Sequence, residues 1–99
     1  MVKSISMSEL KTLLEEGDIH LLDVRERTEY ANGHIPQAEN VPLSELADAY
    51  HQLDASKTYH IVCQMGGRSA QACAFLEGLG YRTVNVQGGT DAWPGLLEQ

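Results

Sequence analysis

Eleven consecutive residues carry the types and spacing of a nucleophilic site: His60-Ile61-Val62-Cys63-Gln64-Met65-Gly66-Gly67-Arg68-Ser69-Ala70. An apolar strand end runs into a lone cysteine, a short glycine-bearing loop, one arginine and then a helix start. Such a loop curls its backbone N–H groups around one point, and the positive end of the following helix adds to the same field. Positive potential lowers a thiol's pKa, and the thiolate is the nucleophile. Cys63 is therefore the candidate catalytic residue, and Gln64, Met65, Gly66, Gly67, Arg68 and Ser69 form the candidate anion cradle.

Each residue type here also has a plainer role. Gly66-Gly67 lets the backbone take φ > 0 and aim amides inward, beyond serving as a flexible turn. Arg68 either binds the anionic oxygens of a substrate or pairs with an acidic residue to hold the loop. Ser69 is a helix N-cap, a donor to the cysteine sulfur, or both. Cys73 lies mid-helix between Ala72 and Ala74, which suits packing better than a resolving-cysteine role. His34, in Gly33-His34-Ile35-Pro36, reads as a hydrogen-bonding brace, because a low-pKa thiolate needs no general base. Asp23, in Asp23-Val24-Arg25-Glu26, is expected to tie the amides of the next turn, while Arg25 pairs with Glu29; both are supporting residues. Trp93 is expected to cover the core, and Gly88-Gly89 to be a turn.

The elements that must position these groups follow from pattern. Val2 to Ile5 suits a short strand, and Ser6-Met7-Ser8-Glu9 fits a capping box ahead of Leu10, Leu13 and Leu14, with Gly17 ending that helix. Ile19 to Val24 is a continuous apolar run closed by Asp23, as in a strand buried on both faces of a parallel sheet. Arg25 to Tyr30 predicts a short helix stopped at Asn32-Gly33, Val41 lies in a brief extended segment, and Ser44 opens another short helix. Tyr59 to Val62 and Thr83 to Val86 are the remaining strands. Between them Ser69 to Leu79 predicts a helix with Ala72, Phe75, Leu76 and Leu79 on its buried stripe and Gly80 as its C′ residue. Strands alternating with helices indicate a parallel α/β sheet, in which ligands bind beyond the carboxyl ends of strands, where Cys63 falls.

Composition narrows the function classes. Ninety-nine residues with an apolar fraction of 42% suit one folded domain, residues 1–99, with no repeat or linker. No apolar run approaches bilayer length and the first residues lack a signal-peptide core, so the expected location is the cytoplasm. A formal charge of −7 argues against a nucleic-acid surface. It also opposes an anionic substrate, so the site must be locally positive, with Arg68 and the loop amides as the source. Two cysteines in such a chain argue against a structural disulfide, and His20, His34, His51 and His60 are scattered, so neither metal nor cofactor is expected.

Taken in order, these pieces resemble the single-domain sulfurtransferases of the rhodanese-like domain family. The matching elements are Leu21-Leu22-Asp23-Val24-Arg25 with Glu29-Tyr30, Gly33-His34-Ile35-Pro36, Asn40-Val41-Pro42-Leu43, the loop Cys63 to Ser69, Gly78-Leu79-Gly80-Tyr81, and Gly88-Gly89-Thr90-Asp91-Ala92-Trp93. The resemblance implies a three-layer α/β/α fold around a five-stranded parallel sheet in strand order 1-5-4-2-3. It further implies that the Cys63 thiolate takes the outer sulfur of thiosulfate or a persulfide. Amides of residues 64 to 68 then hold the resulting persulfide, which passes its sulfur to a thiol or, in assays, cyanide. Many members place a basic residue directly after the cysteine, where this chain has Gln64. That shifts the expected donor from thiosulfate toward a low-molecular-weight or protein persulfide. Gln37-Ala38-Glu39 also departs from the smaller, more apolar residues usual there, with only a surface effect expected.

Two rivals share this fold. A phosphatase or arsenate reductase would use five residues between cysteine and arginine, whereas four intervene here, Gln64 to Gly67. A regulatory module would often lack the cysteine. A persulfide carrier dedicated to one protein partner uses the same Cys63 chemistry.

Overall fold

The computed structural model describes residues 2–99. In chain order the elements are β1 (Lys3–Ile5), α1 (Met7–Glu16), β2 (His20–Asp23), α2 (Arg27–Asn32), β3 (Glu39–Asn40), α3 (Leu43–Ala49), β4 (Thr58–Val62), α4 (Gly67–Gly78) and β5 (Arg82–Val86). Short 3-10 turns follow α3 at Tyr50–Gln52 and β5 at Thr90–Ala92. All five strands are parallel in the order β1-β5-β4-β2-β3, as the resemblance implied.

Alternation along the strands divides the core between the two faces of the sheet. Leu22, Tyr59 and Ile61 pack with Leu46 of α3 and Ala72, Cys73 and Leu76 of α4. Leu21, Val62 and Val86 pack with Met7, Leu10 and Leu14 of α1, and Trp93 closes the same cluster. The capping box at the start of α1 forms as read: Glu9 N–H donates to Ser6 Oγ at 3.1 Å, and Ser6 N–H to the Glu9 carboxylate at 3.1 Å.

Three expectations change. Arg25 lies ahead of α2, outside any helix. Helix α4 begins at Gly67, two residues early, and its buried stripe is Ser69, Ala72, Cys73 and Leu76, while Phe75 and Leu79 are exposed. With Ser69 turned inward at the cysteine, position 75 falls roughly 120° around the helix from it. The third is Ala38, which is 5% exposed and packs in the α1-side cluster, so the Gln37–Glu39 segment reaches the core. Gly80, at φ 95°, ends α4 as expected, in a Schellman arrangement: Gly80 N–H donates to Glu77 O (3.1 Å) and Tyr81 N–H to Leu76 O (3.0 Å).

Candidate active site

Strand β4 delivers Cys63 to the carboxyl edge of the sheet, level with the end of β2, because Val62 pairs in register with Asp23. The chain then turns through Gly66, whose φ of 117° is open only to glycine, and enters α4 at once. This turn lays the amides of Met65, Gly66 and Ser69 around the sulfur. Gly66 N–H donates to Cys63 Sγ at 3.0 Å, and the thiol donates to Ser69 Oγ at 3.3 Å. The Ser69 hydroxyl donates in turn to Gly66 O at 3.1 Å. Burial pushes the Cys63 thiol up. Hydrogen bonds from the Ser69 side chain and from the backbone of Ser69, Gly66 and Met65 outweigh it and hold the thiol below its ordinary value. Ser69 is thus bound to the sulfur and is the third residue of α4, while Gly66 takes the N-cap position.

A buried ion pair frames the site from β2. Asp23 and Arg25 side chains are 0% and 4% exposed, with Arg25 Nη2 2.8 Å from Asp23 Oδ2. Arg25 Nε also donates to both Asp23 oxygens, and the Arg25 backbone N–H donates to Oδ1 at 3.0 Å, which is the turn-tying role expected of Asp23. The expected pairing of Arg25 with Glu29 does not form. The Arg25 fork is filled instead by Asp23, Gly33 O (2.8 Å) and Gln64 Oε1 (3.0 Å). Asn40 Nδ2 donates to the carbonyls of Asp23 and Arg25, both at 2.9 Å, closing this frame from β3.

Glu29 pairs with Arg68, which donates from Nη1 and Nη2 at 2.7 and 2.9 Å. Hydrogen bonding to Arg68 lowers the Glu29 carboxyl to about 2, against burial. Of the two roles open to Arg68, the structure shows the pairing that braces the loop. Gln64 bridges two walls, accepting from Arg25 and donating to Asp91 Oδ1. Met65, at the loop tip, is 74% exposed. His34 stacks on Tyr30 and its Nδ1 lies 2.9 Å from Tyr30 O, the brace expected of it. Cys73 is fully buried in α4, where burial raises its thiol.

Sequence reasoning missed the segment that closes the loop from behind. Gly89, at φ 64°, lies so close that a Cβ there would overlap the carbonyl oxygens of Cys63 and Gln64. Thr90 N–H and Thr90 Oγ1 both donate to Cys63 O, at 2.8 and 3.2 Å, and Asp91 N–H donates to Gln64 O at 3.1 Å. The available signal was topological: β5 lies beside β4, so a double glycine just after β5 falls at the same sheet edge as Cys63. A cleft of about 530 Å³ opens beside the loop, walled by Arg25, Glu29, Gly33, Gln64, Asp91 and Trp93. Among the described residues, no group of three or more histidine, cysteine or acidic side chains is placed to hold a metal. No helix there is long and apolar enough to cross a membrane.

Comparison with known proteins bears on the same elements. Residues 6–95 match the family model of the Rhodanese-like domain. The protein YtwF of Bacillus subtilis is 40% identical, over 95% of this chain and 92% of its own length. The human thiosulfate:glutathione sulfurtransferase is 37% identical, over 91% of each chain. The crystal structure of a rhodanese-like domain protein from Staphylococcus aureus superposes with a TM-score of 0.89 at 41% identity, covering 98% of this chain and 97% of that one. The chain belongs to the rhodanese-like domain family and stands among its sulfurtransferases.

Proposed function

We propose that this protein moves a sulfane sulfur through a Cys63 persulfide, taking it from a protein or low-molecular-weight persulfide in preference to thiosulfate and passing it to a thiol. The observation that carries this reading is a buried thiol held below its ordinary pKa by the Ser69 hydroxyl and the amides at the start of α4. The Cys63 thiolate attacks the outer sulfur of the donor. A Cys63–sulfur bond forms, the donor's sulfur–sulfur bond breaks, and its electron pair leaves on the donor thiolate. The persulfide anion meets the same donors that held the thiolate, Gly66 N–H and the Ser69 hydroxyl, with neighbouring loop amides added. An acceptor thiolate then attacks the outer sulfur, and the electron pair returns to Cys63.

The preference among donors rests on charge. The two arginines at the loop are each paired with a carboxylate, Arg25 with Asp23 and Arg68 with Glu29. Gln64 supplies no charge, and Asp91 and Glu29 line the cleft. A dianion such as thiosulfate is repelled by this field about twice as strongly as a persulfide with one diffuse charge. The phosphatase alternative fits less well, because Arg68 is engaged by Glu29 and the loop is one residue short.

Incubation with a persulfide donor followed by intact-mass analysis is expected to add one sulfur, lost on treatment with cyanide or thiol and absent in Cys63→Ser. No adduct from any donor would refute the proposal, as would hydrolysis of a phenyl phosphate ester that Cys63→Ser abolishes. Gln64→Arg is expected to raise kcat/KM for thiosulfate, and unchanged kinetics would remove the charge argument.

A further inference from the structure

Residues 88–91 reach the cysteine loop from β5 and press on its back, away from the sulfur. The contacts are specific: two donors from Thr90 converge on Cys63 O, and the Asp91 amide binds Gln64 O. A trans peptide is planar, with its C=O and the following N–H pointing in opposite directions. Drawing the carbonyls of Cys63 and Gln64 toward residues 90 and 91 therefore turns the N–H groups of Gln64 and Met65 the other way. The Met65 backbone is among the groups that stabilise the Cys63 thiolate.

We infer that the Gly89-Thr90-Asp91 segment is a positioning element of the site, aiming the cradle amides at the sulfur from behind. The Asp91 amide on Gln64 O turns the Met65 N–H, and Thr90, bound twice to Cys63 O, anchors the segment as its positioning residue. Thr90 is 6% exposed, and its hydroxyl donates to the carbonyl of the reacting residue itself. Gly89 permits the approach, since any side chain would drive the segment off the loop. Thr90 acts on the thiolate without touching it. The inference rests on the reading of Cys63 as the sulfur-carrying nucleophile, and concerns how its thiolate is maintained.

Valine matches threonine in shape and lacks only the hydroxyl, so Thr90→Val isolates the hydrogen bond, while Thr90→Ser keeps the hydroxyl and loses the methyl. The measurement is the pH dependence of Cys63 alkylation by iodoacetamide, read by mass, with persulfide loading followed in parallel. Thr90→Val is expected to move the alkylation midpoint up by about half a pH unit, and Thr90→Ser to restore it. A Thr90→Val profile superimposed on that of the wild type would overturn the inference. So would a Thr90→Ser profile displaced further than that of Thr90→Val, which is the signature of packing alone. A shifted Thr90→Val profile in a protein that never accepts a sulfur would leave the inference standing and overturn the proposed function. Normal persulfide loading with three coincident profiles would do the reverse.

Discussion

Cys63 and Cys73 are both free, both buried and both packed in the same apolar cluster, yet the fold drives their thiols in opposite directions. Burial opposes ionisation at each. At Cys73 it prevails, relieved only by the nearby Thr83 side chain. At Cys63 the Ser69 hydroxyl and the backbone of Ser69, Gly66 and Met65 together reverse it. Cys73 stands mid-helix, where every neighbouring amide is committed to the helical ladder. Cys63 faces the first turn of α4, whose amides have no partner within the helix. A thiol eased toward its thiolate is thus made by a serine hydroxyl and unclaimed N–H groups at a helix start, and neither burial nor residue type distinguishes the two sites.

The strongest way to break this contrast is to remove each sulfur in turn. Cys63→Ser is expected to abolish persulfide formation and transfer, whereas Cys73→Ala keeps both. Loss of transfer in Cys73→Ala with persulfide formation intact would make Cys73 a resolving thiol and end its assignment as a packing residue.

The Cys63 side of the contrast also depends on the frame that holds the loop against β2. Asp23→Ala leaves the Arg25 guanidinium buried without its carboxylate, and is expected to cost about 3–5 kcal/mol in denaturant unfolding. The Glu29–Arg68 pair, with both side chains 34% exposed, offers the control. Glu29→Gln is expected to cost below about 1 kcal/mol, since water screens that pair. Equal losses would mean that burial does not separate the two pairs.

Much of this was legible in the residues, for reasons that differ by element. The parallel sheet is written in short apolar runs alternating with helical segments, and the place of Cys63 follows from a strand ending in a glycine loop. The resemblance supplied the strand order, which local patterns do not encode. The choice between Arg25 and Arg68 as partner of Glu29 was not legible, because it depends on which of them the β2 turn buries. Asp23 claims Arg25 through the backbone and side chain together, and Glu29 is left facing Arg68 across 39 positions of sequence. Phe75 was misplaced because apolar spacing in α4 is ambiguous, whereas contact of Ser69 with the sulfur fixes which face turns inward. The role of Thr90 was not legible because its partner is a backbone carbonyl oxygen, which no sequence displays.

Within the loop, Ser69 sharpens the contrast between the two thiols. When Cys63 is a thiol, the Ser69 hydroxyl donates to Gly66 O; a thiolate cannot donate, so the hydroxyl turns to serve the sulfur. Ser69→Ala removes that donor and is expected to raise the Cys63 alkylation midpoint by roughly one pH unit, with Cys73 unmoved. An unmoved Cys63 midpoint would assign the whole effect to the amides.

The smallest effect distinguishes the thiols through stability, and its sign differs between them. The Cys73 pKa is raised by folding, so its contribution is complete below the unfolded thiol value of about 8.5 and is lost as pH rises through the folded value. The Cys63 pKa is lowered by folding, so its contribution is complete above that unfolded value and is lost as pH falls through the folded one. Cys73→Ala is therefore expected to cost about 1 kcal/mol at neutral pH, from lost packing, and to lose less stability than the wild type on passing into alkali. Cys63→Ala is expected to lose more over the same range, because it lacks a contribution that grows with pH. Denaturant unfolding of the three proteins on either side of the unfolded thiol value measures both slopes. If the two variants ran parallel to the wild type, the Ser69 hydroxyl and the loop amides would confer no preference for the thiolate, and the two cysteines would differ only in position.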